Sequence, residues 1–135
     1  MNQREFLERY WAGERNFSGL DLTRVKLGYA NLPHVNLSQT NLSHAGLNGA
    51  NLSKANLSQA DLQGADLSRA DLRGADLTES NLRCALLLKA NLTGAKLDGA
   101  DLKWATLTDA IPYDIDLSHA HLGGTTLPGG YPSDR

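Results

Sequence analysis

The chain has 135 residues, long enough for one domain with its own core, and 13 Lys and Arg against 15 Asp and Glu leave a net charge of −2. That near balance excludes the basic footprint of a nucleic-acid binder and the strong overall acidity of a nucleic-acid mimic, so a partner must be sought in local patches. No apolar stretch approaches the ~20 residues of a membrane span, and the opening MNQREFLERYW lacks the basic-then-apolar order of a secretory leader. The expectation is a cytoplasmic protein with no membrane attachment. Its single cysteine, Cys84, excludes an intrachain disulfide and a cysteine-built zinc site.

The first predicted element is a short helix over residues 3–12. Asn2 and Glu5 have capping-box spacing, Phe6, Leu7, Tyr10 and Trp11 fall on one helical face, and Gly13 suits a helix stop. Its polar face carries Arg4, Glu5, Glu8 and Arg9, a mixture unsuited to a membrane anchor.

From Phe17 onward a period of five takes over. Steps of five reach Leu at 21 of 23 positions, the exceptions being Phe17 and Pro112. Two residues before each of these positions the chain prefers Ala, at fifteen places, and one residue before it prefers Asn or Asp, also at fifteen. Neither regular element can use this spacing. Five residues of α-helix turn by roughly 500°, so the Leu side chains spiral around the rod. On a strand an odd period sends successive Leu residues to opposite faces. The chain must turn within every quintet, so that each Leu and each small residue points into a closed coil while the other three positions point out. A short fixed period of this kind is the signature of a solenoid.

The A-(D/N)-L-x-x repeat over residues 15–129 resembles the pentapeptide-repeat family, and the opening ERYWAGERNFSGLDL is similar to the form found in cyanobacterial members. The resemblance implies an all-β fold, a right-handed quadrilateral β-helix with four quintets per coil. The 23 quintets would then make nearly six coils in a rod of a little under ~30 Å, with residues 1–14 as a helical cap and 130–135 as a tail. Leu residues twenty apart would stack, and Ala would be required where the coil is narrow. Larger residues at that position, Leu20, Val25, Val35 and Ile115, gather near the two ends.

Sorting quintets by twenty-residue spacing gives four outward faces. The face centred on Leu37, Leu57, Leu77, Leu97 and Leu117 carries Asp76, Glu79, Asp98 and Asp116 against Lys96, a net of −3. Some members of the family imitate duplex DNA and bind gyrase, and this strip is the feature that would serve such a role. It is confined to the C-terminal half, where the earlier coils show Asn and Gln instead. In CALLLKA, Leu86 and Leu88 occupy outward positions that are polar in most other quintets, with Cys84 on the preceding side and Trp104 expected in contact with it one coil on. Such a cluster either covers itself or receives a partner or second copy.

Pro112 interrupts the pattern in AIPYDID, yet Leu117 returns in register, so one side of a coil is expected to be distorted without a frame shift. Beyond it, Tyr131 and Pro132 either fold over the last coil or leave it to a second chain, an end through which the protein would dimerise. No catalytic constellation appears: His34, His44, His119 and His121 divide among faces. Asp114, Asp116, His119 and His121 lack a recognisable metal-ligand spacing, so no cofactor or metal is expected. The sequence therefore points to a non-enzymatic interaction module, with the gyrase-directed DNA mimic as the alternative and no direct nucleic-acid binding.

Overall fold

The computed structural model describes residues 1–134 of the chain. Its one helix, α1 (Gln3–Trp11), is capped by Asn2, whose Oδ1 accepts the Glu5 N–H at 2.8 Å. Phe6 and Tyr10, one turn apart, are buried and seat α1 on the first coil. The Phe6 ring lies 4.4 Å from that of Phe17, and the Tyr10 hydroxyl donates to the Pro33 carbonyl at 2.9 Å. The Arg15 guanidinium stacks on the Tyr10 ring at 3.7 Å and locks the helix exit. The apolar face is narrower than expected. Leu7 is partly covered, and Trp11, about 100° around the helix from Tyr10, points to solvent with 73% of its surface exposed.

The repeat folds as a stack of coils, linked by parallel bridges between residues that precede the inward position and their counterparts twenty residues on, as in Asn31↔Asn51↔Asp71↔Asn91. The bridges are isolated, one for each quintet, so no side becomes a strand of ordinary length. Each is flanked by backbone bonds in both directions, such as Leu52 N–H to Asp71 C=O at 2.8 Å and Asp71 N–H to Ala50 C=O at 2.9 Å.

Between bridges the chain turns. The Leu carbonyl accepts the N–H three residues later, as in Leu62 to Ala65 at 3.0 Å, and the residue two beyond the Leu adopts positive φ, for example 58° at Gln59 and 62° at Arg69. This is a type II turn, and it aims the next small residue back inward. The preference for Asn or Asp has a local cause. Their Oδ1 accepts the N–H two residues on, as from Asp61 to Gln63 at 3.0 Å, holding the backbone at the start of the turn. Asn amides also bond between coils, Asn51 Nδ2 to Asn31 Oδ1 at 2.9 Å.

From Leu22 to Leu107 the Leu side chains at the five-residue positions are buried, and the Ala positions close the remaining space. Where Thr40 and Ser80 replace Ala they stay buried, because each hydroxyl donates to the carbonyl three residues back, at 2.6 and 2.8 Å.

The distortion at Pro112 is local, as expected. The bridge Asn91↔Ile111 precedes a cis Ile111–Pro112 bond, no bridge joins Lys96 to Asp116, and pairing resumes at Asp101↔His121. The tail then folds back along one side of the last coil. Pro132 pairs antiparallel with Thr126, and Leu127 N–H donates to the Tyr131 carbonyl at 2.7 Å, while Tyr131 itself stays 72% exposed. Of the expected tail, Arg135 lies outside the described residues.

We predict that Leu62→Ala lowers the unfolding free energy by about 2–5 kcal/mol through the cavity it leaves. Gln59→Val should cost about 1–2 kcal/mol, because a β-branched residue resists positive φ, whereas Gln59→Gly should not. Urea denaturation of the three variants checks both, and an unaffected Gln59→Val would contradict the turn assignment.

Candidate functional site

Three residues in succession, Leu86, Leu87 and Leu88, meet opposite fates. Alternation along the chain sends Leu87 inward, 1% exposed, and turns Leu86 and Leu88 outward at 40% and 37%. Leu86 stands where most quintets place Asn or Asp, on the bridge Asp66↔Leu86↔Thr106, so no side-chain oxygen there braces the following turn. The turn forms regardless, with Lys89 at φ 60°.

Cys84 and Trp104 lie on the neighbouring side of the coil, and both are exposed. The Trp104 ring lies against Gly124 of the next coil, where a Cβ would come to 2.5 Å from it. From the coil before, the Arg83 guanidinium sits 5.0 Å over the ring while Arg83 also pairs with Asp101 at 3.4 Å. The aromatic surface is thus held by a glycine on one side and an arginine on the other.

The four acidic residues do not form an unbroken row. Asp76 bridges to Lys96, which occupies the corresponding place in the next coil. Glu79 ends a ladder in which Gln39 Nε2 donates to Gln59 Oε1 at 2.8 Å and Gln59 Nε2 reaches Glu79 Oε2 at 3.4 Å. Asp98 is exposed, and Asp116 lies beyond the interrupted bridge. Burial opposes ionisation of Asp76 but is outweighed by hydrogen bonds from the Thr78 side chain and amide and by the charge of Lys96, which leave its pKa lowered. At Asp116 the Ser118 hydroxyl and amide lower the pKa against a smaller burial effect.

His44 packs its ring on Gly64, and His119 Nδ1 lies 3.3 Å from Ser118 Oγ. Among the described residues no three His, Cys, Asp or Glu side chains gather where they could hold a metal ion, and no helix is long and apolar enough to cross a membrane.

A feature missed in the sequence is an open groove beside Leu88, lined also by Tyr29, Asn48, Ser68, Arg69 and Lys89. Tyr29, Gly49, Arg69 and Lys89 are spaced by twenty, and that spacing was the available signal.

The sequence profile of pentapeptide repeats matches residues 21–59, 55–89 and 70–109, in 8 copies. The chain belongs to the pentapeptide-repeat family. Solved structures of other pentapeptide-repeat proteins agree. One from Nostoc Pcc 7120, alr5209, is 41% identical, with 90% of this chain and 97% of that one covered and a TM-score of 0.68. One from the Arabidopsis thaliana thylakoid lumen is 34% identical over 79% and 72% of the two chains, with a TM-score of 0.60. Rfr23 from the cyanobacterium Cyanothece 51142 is 29% identical over 97% and 99%, with a TM-score of 0.61. No curated protein sequence matches significantly. The pentapeptide-repeat chain is accordingly a right-handed β-helix solenoid with one short helix.

Asp71 also has a lowered pKa, first because the Arg73 side chain bonds its carboxylate, at 2.7 and 2.9 Å, and burial only partly opposes this. Carboxylates with folded pKa values below the ordinary ~3.9 stabilise the fold above that value and lose the contribution as pH falls through the folded one. We predict equal urea midpoints at pH 7 and about 5.5 and a lower midpoint near pH 3, with a smaller acid drop in Asp71→Asn. The same drop in the variant would remove Asp71 from the explanation.

Proposed function

We propose that this pentapeptide-repeat protein is a non-enzymatic interaction module of the cytoplasm that binds a protein partner through the surface around Leu86 and Leu88. The observation that carries the reading is the outward exposure of both side chains on a stack whose other Leu residues from Leu22 to Leu107 are buried. Cys84 and Trp104 extend the surface onto the adjacent side. We further infer that residues 15–129 close as a quadrilateral of nearly six coils, supported by the twenty-residue bridge register.

A second contact surface, through which two copies would dimerise, is favoured at the C-terminal end. There Ile115, Leu122 and Leu127 are only partly buried, and they line an open groove with Tyr113, Leu117 and Tyr131. The tail pairs along one side of the last coil and leaves that groove open.

The alternative, a gyrase-directed mimic of DNA, would need negative charge repeated along the rod at phosphate-like density. Lys96 following Asp76, and Gln39 and Gln59 preceding Glu79, weigh against it. We predict that micromolar protein leaves gyrase supercoiling unchanged, and dose-dependent inhibition would reverse the ranking. Leu86→Lys combined with Leu88→Lys should abolish capture of a specific partner from the source organism without lowering the melting temperature. Retained capture would remove the leucine surface from the mechanism, and unchanged self-association in analytical ultracentrifugation would leave dimerisation to the C-terminal end.

A further inference from the structure

We infer that the groove beside Leu86 and Leu88 receives an extended partner segment in which an apolar side chain is flanked by carboxylates. This rests on the interaction reading above and adds the chemistry of the partner.

The groove crosses four successive coils on one face. At ~4.8 Å per coil that is about 14 Å, the length of roughly four residues of extended chain. One end is floored by the Tyr29 ring, 74% exposed. It lies on Gly49, where a Cβ would approach the ring to 2.4 Å, so the absent side chain lets an aromatic plate lie along the rod. The other end carries Leu88, with Leu86 two residues before it. An aromatic plate and an aliphatic pair separated by polar backbone suit one apolar anchor in an extended segment.

The charges between and around them decide which segment. Arg69 and Lys89 follow Tyr29 and Gly49 in the row of positive-φ positions and are exposed, as is Lys26 at the N-terminal end of the face. Among the described residues none of these three cations has an ion-pair partner, although Arg73 pairs with Asp71 and Arg83 with Asp101. Asp66 lines the groove as well, but its Oδ1 accepts the Ser68 N–H at 3.0 Å in the turn that the repeat requires. Asp109 is the remaining acid of the face, one coil beyond Lys89. The groove thus joins apolar contact area to two cations against the single carboxylate of Asp66, and carboxylates on the partner complement the remaining positive charge. Each exposed pair would contribute little affinity by itself, so the charges act chiefly on selection and the apolar contacts on retention.

The test is selection of a random dodecapeptide phage library on the full chain, with counter-selection on the Leu86→Lys, Leu88→Lys double variant. Expected are peptides with an apolar residue within two positions of Asp or Glu. Their synthetic forms should bind at least tenfold more weakly to an Arg69→Glu, Lys89→Glu variant and more weakly as salt rises. Arg69→Gln with Lys89→Gln serves if the reversed variant has a lowered urea midpoint. Patch-dependent peptides that are uncharged or basic, and indifferent to both charge variants, would overturn the acidic partner and leave the leucine surface standing. Recovery of no patch-dependent peptide would overturn both.

Discussion

The stack depends on a backbone conformation that most residues avoid. Nearly every quintet ends its turn with a residue at positive φ, and many of these are not glycine, among them Arg24, Tyr29, His44, Lys54, Glu79 and Trp104. The conformation costs such a residue about 1–2 kcal/mol, while a fully buried Leu contributes about 1.5–3 kcal/mol. A lone quintet gains neither the burial nor the bonds to adjacent coils. The turn is therefore tolerated only within the stack, where the coil before and the coil after supply hydrogen bonds to the same segment. α1 supplies the missing neighbour at the first coil by laying Phe6 on Phe17.

Because the inward positions are committed to packing, chemical variety is left to three outward rows. These rows are not equivalent. The row before each Leu is held by side-chain bonds to the turn, so Asn and Asp there serve the fold before any ligand. The positive-φ row is freer, and larger residues on it lie along the rod over glycines of the following coil, as Tyr29 does on Gly49 and Trp104 on Gly124. Tyr29, Trp104, the Gln ladder and the cations Arg24, Lys54, Arg69 and Lys89 all sit in that row.

The period of five made the inward Leu and Ala, the parallel register and the frame across Pro112 legible without coordinates, since a core this narrow admits one assignment of faces. The sequence also marked Asn2 as the helix cap and Leu86 and Leu88 as outward. Helical periodicity allows a wide apolar stripe that includes Trp11, whereas the first coil buries Phe6 and Tyr10, covers Leu7 in part and leaves Trp11 exposed. The groove beside Leu88 was hidden because its residues are separated by twenty positions and one of its determinants, Gly49, acts by lacking a side chain. Charge counting placed Asp76, Glu79, Asp98 and Asp116 on one face and the twenty-residue spacing already set Lys96 after Asp76, but only the structure shows the side-chain bonds that join Gln39, Gln59 and Glu79 in a ladder.

The twenty-residue register gives the molecule a rotational address as well as a length. Loss or duplication of one quintet would preserve every inward Leu, and the core would tolerate it. All later residues would nevertheless move a quarter turn around the rod, carrying Leu88 and Lys89 off the face that holds Tyr29. Twenty-residue changes alone would lengthen or shorten the rod while keeping its faces aligned, so a surface assembled across coils restrains insertions that the core would accept.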